Sequence, residues 1–540
     1  MLVSIFNDVL GPVMRGPSSS HCAAALRIGR LARDLMNGLV SKVVVRFDQH
    51  GSLATTHASQ GSDVGLWAGL LGWDADDERV LRAEEFLRAS GIHVHVEIVE
   101  LHDSHPNTYH LQLQNAETEH TLTAISTGGG MVEVVELDGF AVSMCGDYYE
   151  TLLEVEAGQA ESVAAWLAER FQADEVLVCE PRATTFRGDS VDGGQKQDVR
   201  RLVEVKASRF VPADLLEALR SEHNVLEVFR LRPVLPVLSC QAASVPFTSC
   251  GEMVRYNVGR GWPLWRLAVE YEAARGGFDE PEVLKRAEDL VCLWRRSIQQ
   301  GLAGTQFTDR ILGAQSGRFR QKLDANKLID AGVLNRIVLY VSALMEVKSA
   351  WGVIVAAPTA GACGTLPGAV LATADARDLS DKHAAQALLA GGLIGVFIAS
   401  RSTFAAEVAG CQAECGAASS MAAAALVELA GGTLEQAVAA ASMALQNSLG
   451  MVCDPVANRV EVPCLGKNVM AAANALSCAN MALADYDPVI PLDEVIEAAD
   501  QVGRSLPREL RCTALGGLSV TPTARRLAEK LNRDRQLSSN

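Results

Sequence analysis

Residues 433–447 read TLEQAVAAASMALQN, an Ala-rich run whose apolar positions fall three and four apart, the spacing of one helix face. The same texture extends both ways, from about Phe247 to Leu527. RGWPLWRLAVEYEAA (260–274) and DEPEVLKRAEDLVCLWRRSIQQGL (279–302) are further amphipathic helices, and strand signals are scarce. Small side chains let helices approach closely, so 247–527 is expected to be an all-α domain packed around a central site. Residues 384–400, AAQALLAGGLIGVFIAS, are slightly short for a membrane span and are bounded by Lys382 and Arg401, so a buried helix is expected.

Upstream the pattern changes. Between 141 and 238 it alternates as YYETLLEVEA, ESVAAWLAERF, EVLVCEPRA, RRLVEVKASRF, PADLLEALRSEH and VLEVFRLRPVLPVL. That is the βαββαβ order of a ferredoxin-like sheet. Pro233, Pro236 and the polar SCQAASVPFTSCGE read as a linker. Residues 1–140 mix helices and strands. SSHCAAALRIGRLARDLM predicts a helix capped by serines, SKVVVRFDQHGS and HVHVEIVEL predict strands, and TLTAISTGGGMVEVVEL predicts two strands joined through Gly128, Gly129 and Gly130. The fold class is therefore α+β, with a polar, loosely held tail at 528–540.

Of 540 residues, 49% are hydrophobic and the net charge is −17. An acidic chain without a basic run argues against nucleic acid and anionic membrane as partners. The opening MLVSIFNDVLGPVMRG has no basic n-region and is broken by Asp8, so no secretory signal is expected. The thirteen cysteines then suggest reduced thiols in the cytoplasm.

Cys411 (AGCQAECG), Cys453 (GMVCDPV) and Cys464 (VEVPCLG) each lie beside a helix breaker, where thiols can converge. Spacing alone leaves buried apolar thiols and metal ligation both open, since no CxxC pair is present. Three thiolates suit an iron–sulfur cluster with an open iron better than structural zinc, which normally has four closed ligands. Cys415, four residues on from Cys411, and Cys363 and Cys512 are further thiols in this region. APTAGACGTLPGA (357–369) offers backbone N–H groups and Thr359 to a carboxylate, or is a structural turn. RGPSSSH (15–21) gathers three hydroxyls and an imidazole at a helix start. TGGG lacks the lysine of a P-loop, and HPNT (105–108) reads by default as a turn. No lysine motif for pyridoxal phosphate is evident.

GPSSSH, HPNT, APTAGACG, GCQAECGAASSMAAAALVE, ALQNSLGMVCDPV, VEVPC and TALGGL occur in the order seen in iron–sulfur-dependent L-serine dehydratases, which the chain resembles over its N-terminal region and nearly all of its helical region. The resemblance implies a β domain (1–140) and a cluster-holding α domain (247–527) fused in one chain, with 141–238 as an ACT-type unit. It implies a [4Fe–4S] cluster on Cys411, Cys453 and Cys464 and no pyridoxal phosphate. It implies a small amino-acid substrate, L-serine, which would lose water and ammonia to give pyruvate, a cytoplasmic, all-α catalytic domain at 247–527, and a homodimer or larger homo-oligomer. Ser18, Ser19, Thr359, Ala360, Gly361, Asn447 and Asn468 fall on substrate-binding positions, and Ser20, His21, Asn107 and Asp63 on catalytic ones. Gln60 (SQGSD) stands where members commonly have histidine, leaving His21 or His57 as the base. Asn458 and Arg459 also depart from the pattern, and Arg459 is a candidate receptor for a second substrate anion. The tail carries no cysteine to enter the site. Other readings are a same-scaffold lyase for threonine, cysteine or an acidic hydroxy-amino acid, a non-catalytic iron–sulfur sensor, and a zinc-stabilised helical protein.

Overall fold

The computed structural model describes residues 2–182 and 200–538, with side chains to 533. Its six-stranded sheet runs in the order β3-β2-β4-β5-β6-β7. The strands are β2 (Lys42–Asp48), β3 (His93–Val99), β4 (Thr108–Gln114), β5 (Glu119–Gly128), β6 (Met131–Leu137) and β7 (Phe140–Met144). Only β2 and β3 pair in parallel. Period-two alternation gives β5 a buried face of His120, Leu122, Ala124 and Ser126. Helix α1 (Ala24–Leu35) adds Ile28, Leu31 and Leu35 to the core this sheet shares with its surroundings.

Helices α2 (Leu53–Gln60) and α3 (Ser62–Leu70) follow β2. Glycines bring α1 and α3 into backbone contact: a Cβ on Gly65 would sit 2.1 Å from the Cys22 carbonyl oxygen, and one on Gly69 2.1 Å from that of Leu26. Gly69→Ala would gain about 1 kcal/mol of helix propensity. A steric overlap this deep belongs at the upper end of the roughly 1–3 kcal/mol that overpacking costs. The variant is expected to melt earlier than the parent in a thermal scan.

The second sheet, β11-β8-β10-β9, is antiparallel throughout. Its strands are β8 (Tyr149–Glu156), β9 (Glu175–Cys179), β10 (Arg200–Ala207) and β11 (Val225–Leu231), with helices Ala160–Arg170 and Ala213–Glu222 between them. This is the βαββαβ arrangement read from the sequence. One face packs Leu153, Val155, Val203 and Val205 against the two helices. The other gives Leu152, Leu202, Phe229 and Leu231 to the core shared with α1 and the larger sheet.

The rest is helical around one large core. The apolar stretch 384–400 lies in helix Asp381–Ala399, with 78% of its most apolar window buried. Helix Gln412–Ala430 also has the length and hydropathy of a span, and 83% of its window is buried. The glycines of AGGLIG have a local cause. A Cβ on Gly392 would meet Ile5 at 2.8 Å, and one on Gly395 would meet Val9 at 2.3 Å.

Ile5 and Val9 belong to a strap that the sequence reading assigned to the β unit. The structure corrects this: Ile5, Phe6, Val9, Leu10 and Met14 join the helical core. Buried Glu272 holds the strap by accepting Ser4 Oγ (2.5 Å) and the Ile5 N–H (2.7 Å). Strand β1 (Val13–Met14) pairs with β12 (Ile354–Val355), immediately before the 357–369 turn. Apolar burial outweighs sequence proximity here, because the strap's side chains leave water against the core they can reach, whatever their place along the chain. A second correction concerns the tail. Helix Pro522–Ser538 carries the chain past Leu527, with Leu531 buried, and the last two residues lie outside the described residues.

Candidate active site

The SSSH segment does not begin as an ordinary capped helix. Ser19–Ala23 form a π-helical turn leading into α1, and Ser18, its N-cap, makes no side-chain cap bond. The hydroxyls turn to other partners. Ser18 Oγ lies 2.9 Å and Ser20 Oγ 3.3 Å from His21 Nδ1, and Ser20 donates to Glu407 Oε1 at 2.7 Å. Ser19 Oγ accepts the Ala360 N–H at 3.2 Å, which joins SSSH to the 357–369 turn.

His21 is fully buried, and its tautomer follows from its neighbours. Thr56 donates its hydroxyl proton to the Ser52 carbonyl (2.7 Å), so at 2.8 Å its oxygen accepts from His21 Nε2–H. The unprotonated nitrogen is then Nδ1, which accepts from the Ser18 hydroxyl and also faces Ser20 and, at 3.4 Å, Glu407 Oε1. Burial lowers the imidazole pKa first; Glu407 pulls it back up, His57 pushes it down, and the net direction is down.

Asp63 is not at His21. Its carboxylate takes His57 Nδ1 at 2.7 Å, making a separate His–Asp pair on α2 and α3. Asn107 is buried immediately before β4, and neither its side-chain oxygen nor its nitrogen has a partner among the described residues. Glu407 Oε2 is also buried without one. Such groups cost about 1–3 kcal/mol each when left unmatched, more if charged.

The 357–369 segment is built as a structural turn. Thr359 caps it by accepting the Ala362 N–H (3.2 Å) and donates to Glu414 Oε1 (2.6 Å). A Cβ on Gly361 would lie 2.5 Å from Glu414 Oε1, so a side chain there would displace that carboxylate. Desolvation pushes the Glu414 carboxyl up to about 7. Asn468, fully buried, donates to the carbonyls of Gly361 (2.8 Å) and Cys464 (2.9 Å) and so ties the turn to the cysteine segment. Asn447 is not brought in. It is exposed, and its amide bonds Asn474 and Cys478 on the helix Cys464–Leu483.

Two of the three predicted ligand thiols, Cys411 and Cys453, come together with Glu414, and Cys464 is not in that group. Ligand atoms of Cys411, Cys453 and Glu414 lie within 4.8 Å of one another. Cys411, Cys453 and Cys512 share one buried cluster. Cys464 interacts electrostatically with Cys411, and Cys415 lies 3.6 Å from the Asn468 amide. Crowding by Cys411 and Cys512, then burial, drives the Cys453 thiol far up, and burial and Cys411 do the same to Cys464. Such thiols ionise only beside positive charge. Lys467 supplies some, at 3.9 Å from Cys411 Sγ, while bonded to Asp454 (2.9 Å). Fully buried Lys348 also lowers the Cys464 thiol. A sulfur-rich, crowded donor set flanked by two ammonium groups fits an anionic iron–sulfur cluster. Cys363 faces Met345 instead, sulfur to sulfur at 3.8 Å.

Two departures from the family pattern find partners. Gln60, buried, donates to Cys512 Sγ at 3.5 Å, and the neighbouring hydroxyl of Ser52 donates to the Cys512 carbonyl at 3.0 Å. Arg459, the candidate receptor for a second substrate anion, donates to Asp309 at 2.6 Å. Glu407 and Glu414 escaped the sequence reading. Their signal is two carboxylates in FAAEVAGCQAEC (404–415), a run too apolar to expose them.

The serine dehydratase alpha chain family model matches residues 257–519. A probable L-serine dehydratase alpha chain of Bacillus subtilis (strain 168) is 38% identical over 250 residues, covering 46% of this chain and 83% of that protein. The L-serine dehydratase alpha chain of Peptoniphilus asaccharolyticus is 36% identical over 276 residues, 51% and 93% of the two chains. L-serine dehydratase 1 of Escherichia coli (strain K12) is 34% identical over 283 residues, 51% of this chain and 62% of that protein. With the cysteine cluster in the matched half, this chain belongs to the iron–sulfur L-serine dehydratase family.

Proposed function

We propose that the protein dehydrates and deaminates L-serine to pyruvate and ammonia, using a [4Fe–4S] cluster held by Cys411, Cys453 and Cys464. The observation that carries this reading is the seam between Ser19 and Ala360, which ties the segment carrying His21 to the Thr359–Gly361 turn, while Glu414, bonded to Thr359, lies among the Cys411 and Cys453 ligand atoms. When bound, such a cluster supplies an iron Lewis acid that weakens the bond to a hydroxyl leaving group.

The chain's own residues do the rest. Thr359 and the backbone of Ala360 and Gly361 orient the substrate carboxylate, with Asn468 holding the turn in place. His21 Nδ1 receives the Cα proton, and Glu407, 3.4 Å away, compensates the charge the ring then carries. Ser18, donating to Nδ1, and Thr56, accepting from Nε2–H, fix the ring's orientation. Burial of His21, Thr359 and Asn107 excludes water from the transfer. The aminoacrylate released tautomerises and hydrolyses without further help. All thirteen cysteines are unpaired thiols, which supports a reducing, cytoplasmic setting.

Anaerobically purified protein is expected to release pyruvate from L-serine faster than it turns over threonine or acidic hydroxy-amino acids. A cluster-loaded preparation that turns over none of them would instead favour the sensor reading.

A further inference from the structure

We propose that Glu407 Oε2 and the side-chain amide of Asn107 form the receptor for the substrate's α-ammonium group, so that the site selects amino acids over their desamino counterparts. The proposal rests on the serine-deaminating reading above.

Glu407 divides its carboxylate between two tasks. Oε1 accepts Ser20 Oγ and lies beside His21 Nδ1. Oε2 is buried and has no partner among the described residues. Asn107 presents the same situation: it is fully buried, and both side-chain polar atoms lack partners. The two residues hang on one junction. The Ser126 N–H donates to the Asn107 carbonyl (3.0 Å), and Ser126 Oγ donates to the carbonyl of Ser20, whose hydroxyl holds Glu407. His105, two residues before Asn107, feels the Glu407 charge.

The chemistry of these atoms specifies the ligand. An enclosed anionic oxygen repels a carboxylate and rewards a positive group rich in N–H donors. A primary ammonium offers three donors and no acceptor. One can meet Oε2 and a second Asn107 Oδ1, while Asn107 Nδ2 remains to donate to a substrate oxygen. A metal ion is a poor alternative, because the three-ligand cluster found among the described residues is Cys411, Glu414 and Cys453, without Glu407. The ammonium receptor and the carboxylate turn are bonded to different serines of SSSH, Ser20 and Ser19 respectively. That division suits an amino acid's two charged groups.

The test compares L-serine with 3-hydroxypropionate, which keeps the carboxylate and hydroxyl and has hydrogen in place of the ammonium. Cluster-loaded wild-type protein is expected to bind serine roughly 100-fold more tightly than it binds this inhibitor. Glu407→Gln should raise the KM for serine by about the same factor while barely moving the inhibition constant of 3-hydroxypropionate. Visible absorbance reports that the cluster is still loaded. If the variant weakens both ligands alike, or lowers kcat with both affinities intact, Glu407 serves only to position His21 and the receptor assignment is overturned. Should the variant not assemble, the wild-type comparison decides, since equal binding of the two ligands also overturns it. Wild-type protein that binds neither ligand nor releases pyruvate brings down the functional reading itself.

Discussion

Cys453→Ser protein, purified without air, is expected to lose the brown colour of an iron–sulfur protein together with on the order of 1,000-fold or more of its serine-deaminating activity, because a Lewis acid is worth several kcal/mol at a developing charge. Cys453 is the central thiol of the group, in contact with both Cys411 and Cys512. Serine is nearly the same size as cysteine, so packing is preserved while the sulfur donor is lost. The comparison variant is Cys363→Ser. Its thiol is as buried as the others, yet it faces Met345 across 3.8 Å, so colour and activity should survive. Iron content, visible absorbance and pyruvate release are measured side by side. Equal retention of colour by both variants would mean that the crowded thiols are ordinary core residues.

The second large effect is expected at His21. Glutamine there keeps a hydrogen-bonding amide but cannot accept a proton, so His21→Gln should cost roughly 100- to 10,000-fold in kcat. Cluster absorbance should be unchanged. The pH profile of the parent gives an independent reading. Burial, the largest influence on His21, disfavours the imidazolium, and the net pKa lies below the ordinary 6.5. A base must be unprotonated to act, so activity should rise with pH on an acid limb that lies below 6.5 and stay level above it. The rival base is His57, partnered by Asp63 at 2.7 Å. If His57→Gln removes the rate while His21→Gln keeps it, the roles are reversed.

Much of the architecture is legible in local pattern. Period-two alternation marks the strands of both sheets, the βαββαβ order survives intact, and Ala-rich helical periodicity marks the helical half. These features depend on residues within a few positions of one another. Long-range features leave weaker traces. The glycines of AGGLIG look like membrane-helix composition until Ile5 and Val9 are found lying against them. The serines of SSSH read as caps, since capping is what a serine at a helix start does by default, but their hydroxyls go to His21, Glu407 and Ala360.

By itself the sequence determined which residue types are available for chemistry: the cysteines of the helical half, the hydroxyls and imidazole near the start, and the Thr-Gly turn. Tertiary structure alone decided which of them meet. Ser20 and Glu407 are 387 positions apart, and Ala360 and Ser19 are 341 apart. Asn447 falls outside the group and Arg459 donates to Asp309. The physical reason is that helix and strand periodicities are written in neighbouring side chains, whereas the partner of a buried charge is chosen by the packing of whole elements, which brings distant segments together only once the core has closed.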